Sequence, residues 1–190
     1  MTVIEAIAVL FGLACVWLIV KESMWCWPTG LIQVSLYVYI FYDAKLYSDF
    51  GLHIFYVGMQ FYGWYHWLHG GANRSKAPIS KLSPMETLTW AAACLAGASG
   101  WGWVMQRYTD ASVPYPDAFT TATSVVAQLL LARKKLENWY FWIAVDVVAI
   151  AIYLHKELYL TAGLYAVFLA LCIIGVRSWA NTYSKQTATS

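Results

Sequence analysis

The first twenty residues, MTVIEAIAVLFGLACVWLIV, decide what kind of protein this chain is. They contain a single charged side chain, Glu5, and they are long enough for a helix to cross the hydrocarbon core of a bilayer, which needs about 20 residues. Apolar runs at 24–42, 50–68 and 159–176 reach a similar length. A cleaved signal peptide is not expected, because the first run lacks a basic N-terminal region and a small-residue cleavage site. We therefore predict an integral membrane protein.

Composition separates the chain from soluble proteins of its size. Of its 190 residues, 61% are hydrophobic and 12% are charged, which is too little charge to cover the surface of a soluble domain. The four cysteines stand singly, without a C-x-x-C pair, so we interpret them as small buried side chains. The formal net charge of +2 predicts no nucleic-acid partner. No metal and no cofactor are expected, and the lipid bilayer is the expected environment.

Hydropathy predicts an all-α fold of seven transmembrane helices. The predicted spans are 3–20, 24–42, 50–68, 87–106, 117–133, 138–154 and 158–178. Seven spans place the loops after helices 1, 3 and 5 on the same side as the C-terminus. Because Lys and Arg are enriched in cytoplasmic loops, we predict a cytoplasmic C-terminus and an outward-facing N-terminus. On the predicted cytoplasmic side lie Lys21, Arg74, Lys76, Lys81, Arg133, Lys134, Lys135, Arg177 and Lys185, and on the other side Lys45, Arg107 and Lys156.

Two parts of the chain resemble each other at an offset of 111 or 112 residues. Since the matching helices are four spans apart, the repeat is parallel. Generic use of Tyr, Trp and Lys at membrane interfaces is the alternative explanation. We predict a parallel 3+1+3 architecture, with a three-helix repeat over 1–68, a loop and linker helix over 69–110, and a second three-helix repeat with a short cytoplasmic tail over 111–190. The series Tyr42, Lys45, Tyr47, Gly51, Leu52, Gly63 and Trp67 recurs as Tyr153, Lys156, Tyr159, Gly163, Leu164, Gly175 and Trp179.

Polar side chains inside the predicted spans are the candidate binding residues, because they cost free energy there. Asp146 is the clearest candidate. A carboxylate at mid-span costs about 2.5–3.5 kcal/mol on insertion scales, and no Lys or Arg lies within two helical turns of it. Trp139, Trp142 and Tyr153 fall on the same helix face. We predict that this face binds the substrate; a structural carboxylate hydrogen-bonded to a neighbouring helix is the alternative.

Further candidates lie on helices 2, 3 and 5, each with a polar or aromatic side chain in a span. Those of helix 3 follow one another at spacings of seven and four, on one face. A carboxylate together with aromatic rings is the chemistry expected for a planar organic cation. A carrier built from parallel repeats would bind such a solute near the bilayer midplane. These candidates are Gln33, Tyr37, His53, Gln60, Trp64 and Gln128.

Several runs resemble the PnuC family of bacterial vitamin transporters, over about residues 10–180. The resemblance implies the seven-helix 3+1+3 fold of the sugar-transporting SWEET proteins, a bacterial inner-membrane location and a homotrimer. It also implies facilitated diffusion of a vitamin that phosphorylation then traps in the cell, with its ring between helices 3 and 6 near Trp139 and Trp142. The runs are Trp27-Pro-Thr-Gly-Leu-Ile, Leu46-Tyr-Ser-Asp-Phe-Gly-Leu-His, Phe61-Tyr-Gly-Trp-Tyr-His-Trp, and Pro116-Asp-Ala-Phe through Leu130-Leu-Ala-Arg-Lys-Lys-Leu-Glu-Asn-Trp-Tyr-Phe-Trp.

Three positions depart from the pattern of the nicotinamide riboside carriers in that family. Those carriers typically have Gln, Asn and Asn where this chain has His53, Gln60 and Asp146. A site built to hydrogen-bond one ligand rejects another, because its own polar groups would stay unpaired. We therefore favour thiamine, a flat cation whose aminopyrimidine can pair with Asp146 or His53. Nicotinamide riboside, which is also a cation, or another nucleoside-like solute of the same family is the alternative.

Two other classes of function remain to be distinguished. In a membrane enzyme, His53 and Asp146 would form an acid–base pair, but the chain has no H-E-x-x-H, G-x-S-x-G or P-loop motif. A structural or receptor subunit would place its polar span residues at subunit contacts. The repeat is typical of carriers, so transport is the favoured function.

Overall fold

The chain is helical wherever its structure is described. The computed structural model describes residues 3–43 and 47–188, and these ranges contain seven α-helices and no β-strand. One turn of 3₁₀ helix, Ala72–Arg74, lies in the connection between the third and fourth helices. The prediction of an all-α fold with seven helices is confirmed. The helices are α1 (Val3–Val20), α2 (Cys26–Asp43), α3 (Tyr47–His69), α4 (Pro84–Tyr108), α5 (Pro114–Ala132), α6 (Asn138–His155) and α7 (Tyr159–Ala188).

The end of α7 is the one boundary that differs clearly from the hydropathy prediction. The predicted span ends at 178, whereas the helix continues to Ala188. Residues 179–188 are mostly polar but include no Gly or Pro, so nothing in the sequence interrupts the helical hydrogen bonds. Hydropathy reports where a span leaves the apolar layer, and a helix can extend beyond that point.

Three of the described helices are long and apolar enough by themselves to cross a membrane. They are α1, α6 and α7. Of the other four, α2, α3 and α4 carry more Trp, Tyr, Gly and amide side chains, and α5 carries Pro, Thr, Ser and Asp, and these residues lower the hydropathy. All four cysteines are free and buried, as predicted.

The chain divides into two compact units, of which the first is Met1–Pro78 with Ala132–Lys134. In this unit α2 packs against both α1 and α3. A Cβ at Gly63 on α3 would overlap the indole of Trp27 on α2. Trp27 also meets Trp67 edge to face, with the ring centroids 5.3 Å apart and the rings at 88°. Gly63 therefore provides the space that a fully buried tryptophan needs between two close helices.

The second unit is Ile79–Leu131 with Lys135–Ser190, and α6 packs along α7 within it. Trp139 on α6 is 1% exposed and meets Trp179 edge to face, at 5.5 Å and 86°. A Cβ at Gly175 would lie 2.6 Å from the Trp139 ring, so this glycine also makes room for an indole. The same close packing of glycine and tryptophan thus occurs in both units.

The start of α4 and its packing complete the second unit. Ser83 and Glu86 form a capping box: the Ser83 hydroxyl accepts from the Glu86 N–H at 3.2 Å, and the Glu86 carboxylate accepts from the Ser83 N–H at 2.7 Å.

Farther along α4, Cys94 packs with Val126 and Leu130 of α5 in a buried cluster. These contacts join α4 to α5.

Candidate functional site

Asp146 lies in the middle of α6 and is 3% exposed. Its Oδ2 accepts a hydrogen bond from the Cys172 thiol of α7, with the sulfur 3.4 Å away. The ion pairs of the described residues do not include Asp146. A thiol is a weak donor, so the carboxylate keeps most of its capacity to accept hydrogen bonds. A carboxylate hydrogen-bonded to a neighbouring helix is what the structural alternative predicts, and the part of Asp146 in ligand binding stays a prediction.

The other predicted residues of α6 differ in how much surface they leave free. Trp139 is enclosed by its contacts with Trp179 and Gly175, whereas Trp142, one turn later, is only partly buried. Tyr153 is also partly buried, and its ring centroid lies 5.2 Å from that of Tyr165. On this face, Trp142 is the indole with ring surface left to contact a ligand.

In the first unit, the structure brings His53 and Tyr37 together. The His53 ring lies among three aromatic rings, with centroid distances of 5.4 Å to Tyr37, 4.8 Å to Phe41 and 5.5 Å to Tyr56. His53 itself is partly buried. Two of the predicted binding residues therefore belong to one aromatic cluster on α2 and α3.

The predicted amide side chains are buried or partly buried. Gln60 and Gln128 are each 7% exposed, and Gln33 is partly buried beside Gly12. The Oε1 of Gln60 is buried and has no hydrogen-bond partner within the described residues. Trp64, one turn after Gln60, is partly buried. A buried amide with unused hydrogen-bonding capacity, such as that of Gln60, is suited to a polar ligand.

Sequence reasoning missed a buried ion pair in the first unit. Lys134 Nζ lies 3.1 Å from a Glu22 carboxylate oxygen, with side-chain exposures of 10% and 20%. The same Nζ donates to the Ala77 carbonyl at 3.0 Å and lies 4.9 Å from the centre of the Trp67 ring. The two residues are 112 positions apart in the chain, so no local sequence pattern indicated that they meet.

Buried carboxylate and amide side chains and a partly buried imidazole on membrane-length helices are typical of a multi-pass membrane transporter. Residues 2–181 match the nicotinamide mononucleotide transporter family, and the chain belongs to that family. The resemblance to PnuC proteins is thereby confirmed. The family is one of transporters, so the enzyme alternative is set aside.

Relatives match along nearly the whole chain. The nicotinamide riboside transporter PnuC of Escherichia coli K12 is 27% identical, and the alignment covers 96% of this chain and 87% of that protein. PnuC of Neisseria mucosa is 28% identical and covers 97% and 74%. The riboflavin/roseoflavin transporter RibM of Streptomyces davaonensis is 28% identical and covers 90% and 81%. The crystal structure of the vitamin B3 transporter PnuC superposes with a TM-score of 0.76 at 25% identity, over 96% of this chain and 82% of that one.

Proposed function

We propose that this chain carries a nucleoside-like vitamin across the cytoplasmic membrane by facilitated diffusion, with nicotinamide riboside as the first candidate. The observation that carries the proposal is the family match over residues 2–181, together with two relatives named as nicotinamide riboside transporters. The relatives give no support to the preference for thiamine that three departures from the family pattern suggested. Nicotinamide riboside therefore moves to first place.

Thiamine is the second candidate, and Asp146 is the observation that favours it. A carboxylate 3% exposed, with a thiol as its described hydrogen-bond partner, is suited to a ligand that presents both a positive charge and an N–H donor. RibM is as similar to this chain as PnuC is, yet it is named for a different ring system. Overall sequence identity at this level does not indicate which vitamin the chain carries. The polar residues of the candidate site have to distinguish between the two vitamins.

The parallel 3+1+3 repeat is part of the proposal, and the turns after α1 and α5 support it. The Ser23 N–H donates to the Leu18 carbonyl and the Lys135 N–H to the Leu130 carbonyl, both at 2.9 Å. The Glu22 and Lys134 backbones have φ values of 53° and 54°. Each pair of equivalent positions differs by 112. The two turns have the same backbone hydrogen bond and a residue with positive φ at the same position. This shared geometry argues against the alternative explanation, in which the sequence match arises only because Tyr, Trp and Lys are common at membrane interfaces.

The aromatic contacts support the same offset. His53 meets Phe41 at 4.8 Å, and Tyr165, 112 residues later, meets Tyr153 at 5.2 Å. Each of these two rings also makes an edge-to-face contact three residues later. The ring planes of His53 and Tyr56 lie at 82°, and those of Tyr165 and Phe168 at 84°. Tyr153 is therefore equivalent to Phe41 rather than to Tyr42, and one offset of 112 relates all these contacts.

Orientation and assembly complete the proposal. The excess of Lys and Arg after helices 1, 3 and 5 supports a cytoplasmic C-terminus and an outward-facing N-terminus. The family resemblance supports a homotrimer. Transport coupled to an ion is not required, because a facilitator moves its substrate down the concentration gradient.

Uptake by proteoliposomes tests the proposed function. Purified protein is reconstituted without an energy source, and labelled nicotinamide riboside or thiamine is added outside. We expect uptake to stop when inside and outside concentrations are equal, and unlabelled vitamin inside to accelerate exchange. Failure to move or bind either vitamin would contradict the proposed substrates, and accumulation above the outside concentration would contradict facilitated diffusion.

A further inference from the structure

We propose that Gly30 is a specificity-determining position of this transporter. Because Gly30 has no side chain, the side-chain amide of Gln60 fits against α2 at this position. The size of residue 30 therefore determines where the oxygen and nitrogen atoms of that amide lie. The inference rests on the proposed function, since it concerns the same vitamin ligand. Gly30 is thus a positioning residue that acts through Gln60.

The first step of the argument is the state of the Gln60 amide. Its side chain is 7% exposed, and Oε1 has no donor within the described residues. A buried carbonyl oxygen normally has a hydrogen-bond partner, and an exception calls for a functional explanation. The carboxamide of nicotinamide riboside and the aminopyrimidine of thiamine both present N–H groups, so either ligand can supply the missing donor. Where Oε1 lies then affects how well each ligand is bound.

The second step is what surrounds the amide. A Cβ at Gly30 would lie 2.8 Å from Gln60 Nε2, 2.9 Å from Gln60 Oε1 and 3.0 Å from the Cys15 sulfur. The Cys15 thiol donates to the Cys26 carbonyl at 3.2 Å, which holds the sulfur in its place on α1. The amide is the flexible end of a long side chain, so an added methyl group would displace the amide before it moved a helix. Replacing Gly30 therefore changes the position of the polar atoms more than the packing of the helices.

The third step compares the equivalent positions in the second unit. At an offset of 112, Gly30 matches Trp142 and Gln60 matches Cys172. The order of sizes is reversed between the units. In the first unit the small residue, Gly30, is on α2 and the long one is on α3. In the second unit the large residue, Trp142, is on α6 and the short one is on α7. Cys172 contacts Asp146, itself a predicted binding residue. The two units therefore differ at this pair of positions in which helix carries the larger side chain.

The test begins with Gly30→Ala, measured by titration with nicotinamide riboside and thiamine. Because the two ligands present different donors, a displaced amide should affect them unequally, and we expect the ratio of their dissociation constants to change about tenfold or more. Gly58→Ala on α3 is the matched control, since a Cβ at Gly58 would have no atom within 4 Å. It measures the effect of a glycine-to-alanine change on the helix alone. An unchanged ratio in Gly30→Ala would overturn the proposal.

A double-mutant cycle with Gln60→Ala asks whether Gly30 acts through the amide. With the amide removed, the added methyl group at residue 30 still lies close to the Cys15 sulfur but has no amide to displace, so its effect on the ratio should disappear. The same change in ratio in both backgrounds would contradict a role through Gln60.

Thermal unfolding without ligand separates this inference from the proposed function. If the wild-type protein binds neither vitamin, the proposed substrates are wrong, and the steric coupling is judged by Tm. Relative to Gly58→Ala, Gly30→Ala should lower Tm more when Gln60 is present than when residue 60 is alanine, where only the Cys15 sulfur remains close to the added methyl group. An equal change in Tm in both backgrounds would overturn the inference even if transport is confirmed.

Discussion

At the scale of the residue, Asp146 combines burial with unused hydrogen-bonding capacity. It is 3% exposed in the middle of α6, and the Cys172 thiol donates to it at 3.4 Å. Taking a carboxylate out of water is costly unless charges or strong donors compensate it. A ligand with a positive charge and N–H groups would supply that compensation, so Asp146 is the residue at which ligand selectivity is best tested.

The first prediction concerns Asp146→Asn, which keeps the shape of the side chain and removes its charge. If the carboxylate binds the ligand, thiamine affinity should fall by about 1.5–3 kcal/mol, the size of a hydrogen bond to a charged group. The preference should shift toward nicotinamide riboside, and further when His53→Gln and Gln60→Asn are added. Titration of both vitamins against each variant measures this. Loss of folding with unchanged selectivity would instead identify Asp146 as a structural residue.

The second prediction separates two tryptophans on one helix face. Trp142 is partly buried, so Trp142→Ala should weaken vitamin binding through the loss of stacking and cation–π attraction, while the protein stays folded. Trp139 is 1% exposed against Trp179 and Gly175, so Trp139→Ala should leave a cavity and cost about 3–5 kcal/mol of stability.

Binding titrations and thermal unfolding, run on both tryptophan variants, measure the two effects. Each variant is the control for the other, because both remove an indole from α6. Unchanged affinity in a folded Trp142→Ala protein would assign that indole to packing or to the membrane interface.

At the scale of the element, the connections after α1 and α5 are held by the ion pair of Glu22 and Lys134. Both residues have positive φ, a conformation that costs a non-glycine residue free energy unless the surroundings favour it. Here the two side chains meet at 3.1 Å, and Lys134 also donates to the Ala77 carbonyl. The pair therefore joins three connecting segments that all lie on the predicted cytoplasmic side.

The third prediction tests that pair. Glu22→Gln leaves the largely buried Lys134 ammonium without its carboxylate, and removing one partner of a buried pair costs about 3–5 kcal/mol. We expect a clear fall in the Tm of the detergent-solubilised protein. The loss of stability should be smaller than about 3–5 kcal/mol, because the Glu22 side chain is 20% exposed. Lys156→Gln is the matched control. It removes a pair of 3.6 Å with Asp117, in which both side chains are about one-third exposed, and should cost less than about 1 kcal/mol.

Equal losses of Tm in Glu22→Gln and Lys156→Gln would mean that burial does not strengthen the first pair. Retained stability in both would remove the proposed role of Glu22 in joining the connections.

At the scale of the whole molecule, membership of a transporter family establishes a multi-pass membrane protein, and the helix count constrains its topology. An odd number of spans places the two termini on opposite sides of the membrane. The excess of Lys and Arg after helices 1, 3 and 5 then predicts which of the two orientations the protein takes.

The fourth prediction concerns that orientation. A reporter that is active only in the cytoplasm should be active when fused after Ser190 and inactive when fused before Met1. The opposite reporter, active only outside, should give the opposite result. Both termini on one side would mean an even number of spans and would contradict the parallel repeat.

Much of the fold could be predicted from the sequence, because membrane spans are set by local composition. Hydropathy located all seven helices, and six agree with the structure to within three residues at each end. The exception, α7, shows the limit of this reasoning. Its last turns, as far as Ala188, depend on helical hydrogen bonds rather than on hydropathy.

The sequence by itself determined which side chains would carry a cost inside the membrane, among them Asp146, His53 and Gln60, because a polar group in an apolar run is visible without any structure. Only the tertiary structure decided their partners. The thiol beside Asp146 is 26 residues away, and the glycine beside Gln60 is 30 residues away on another helix. Contacts between helices depend on how the helices pack, which no local pattern specifies, and the space left by Gly30 exists only after α2 and α3 have come together.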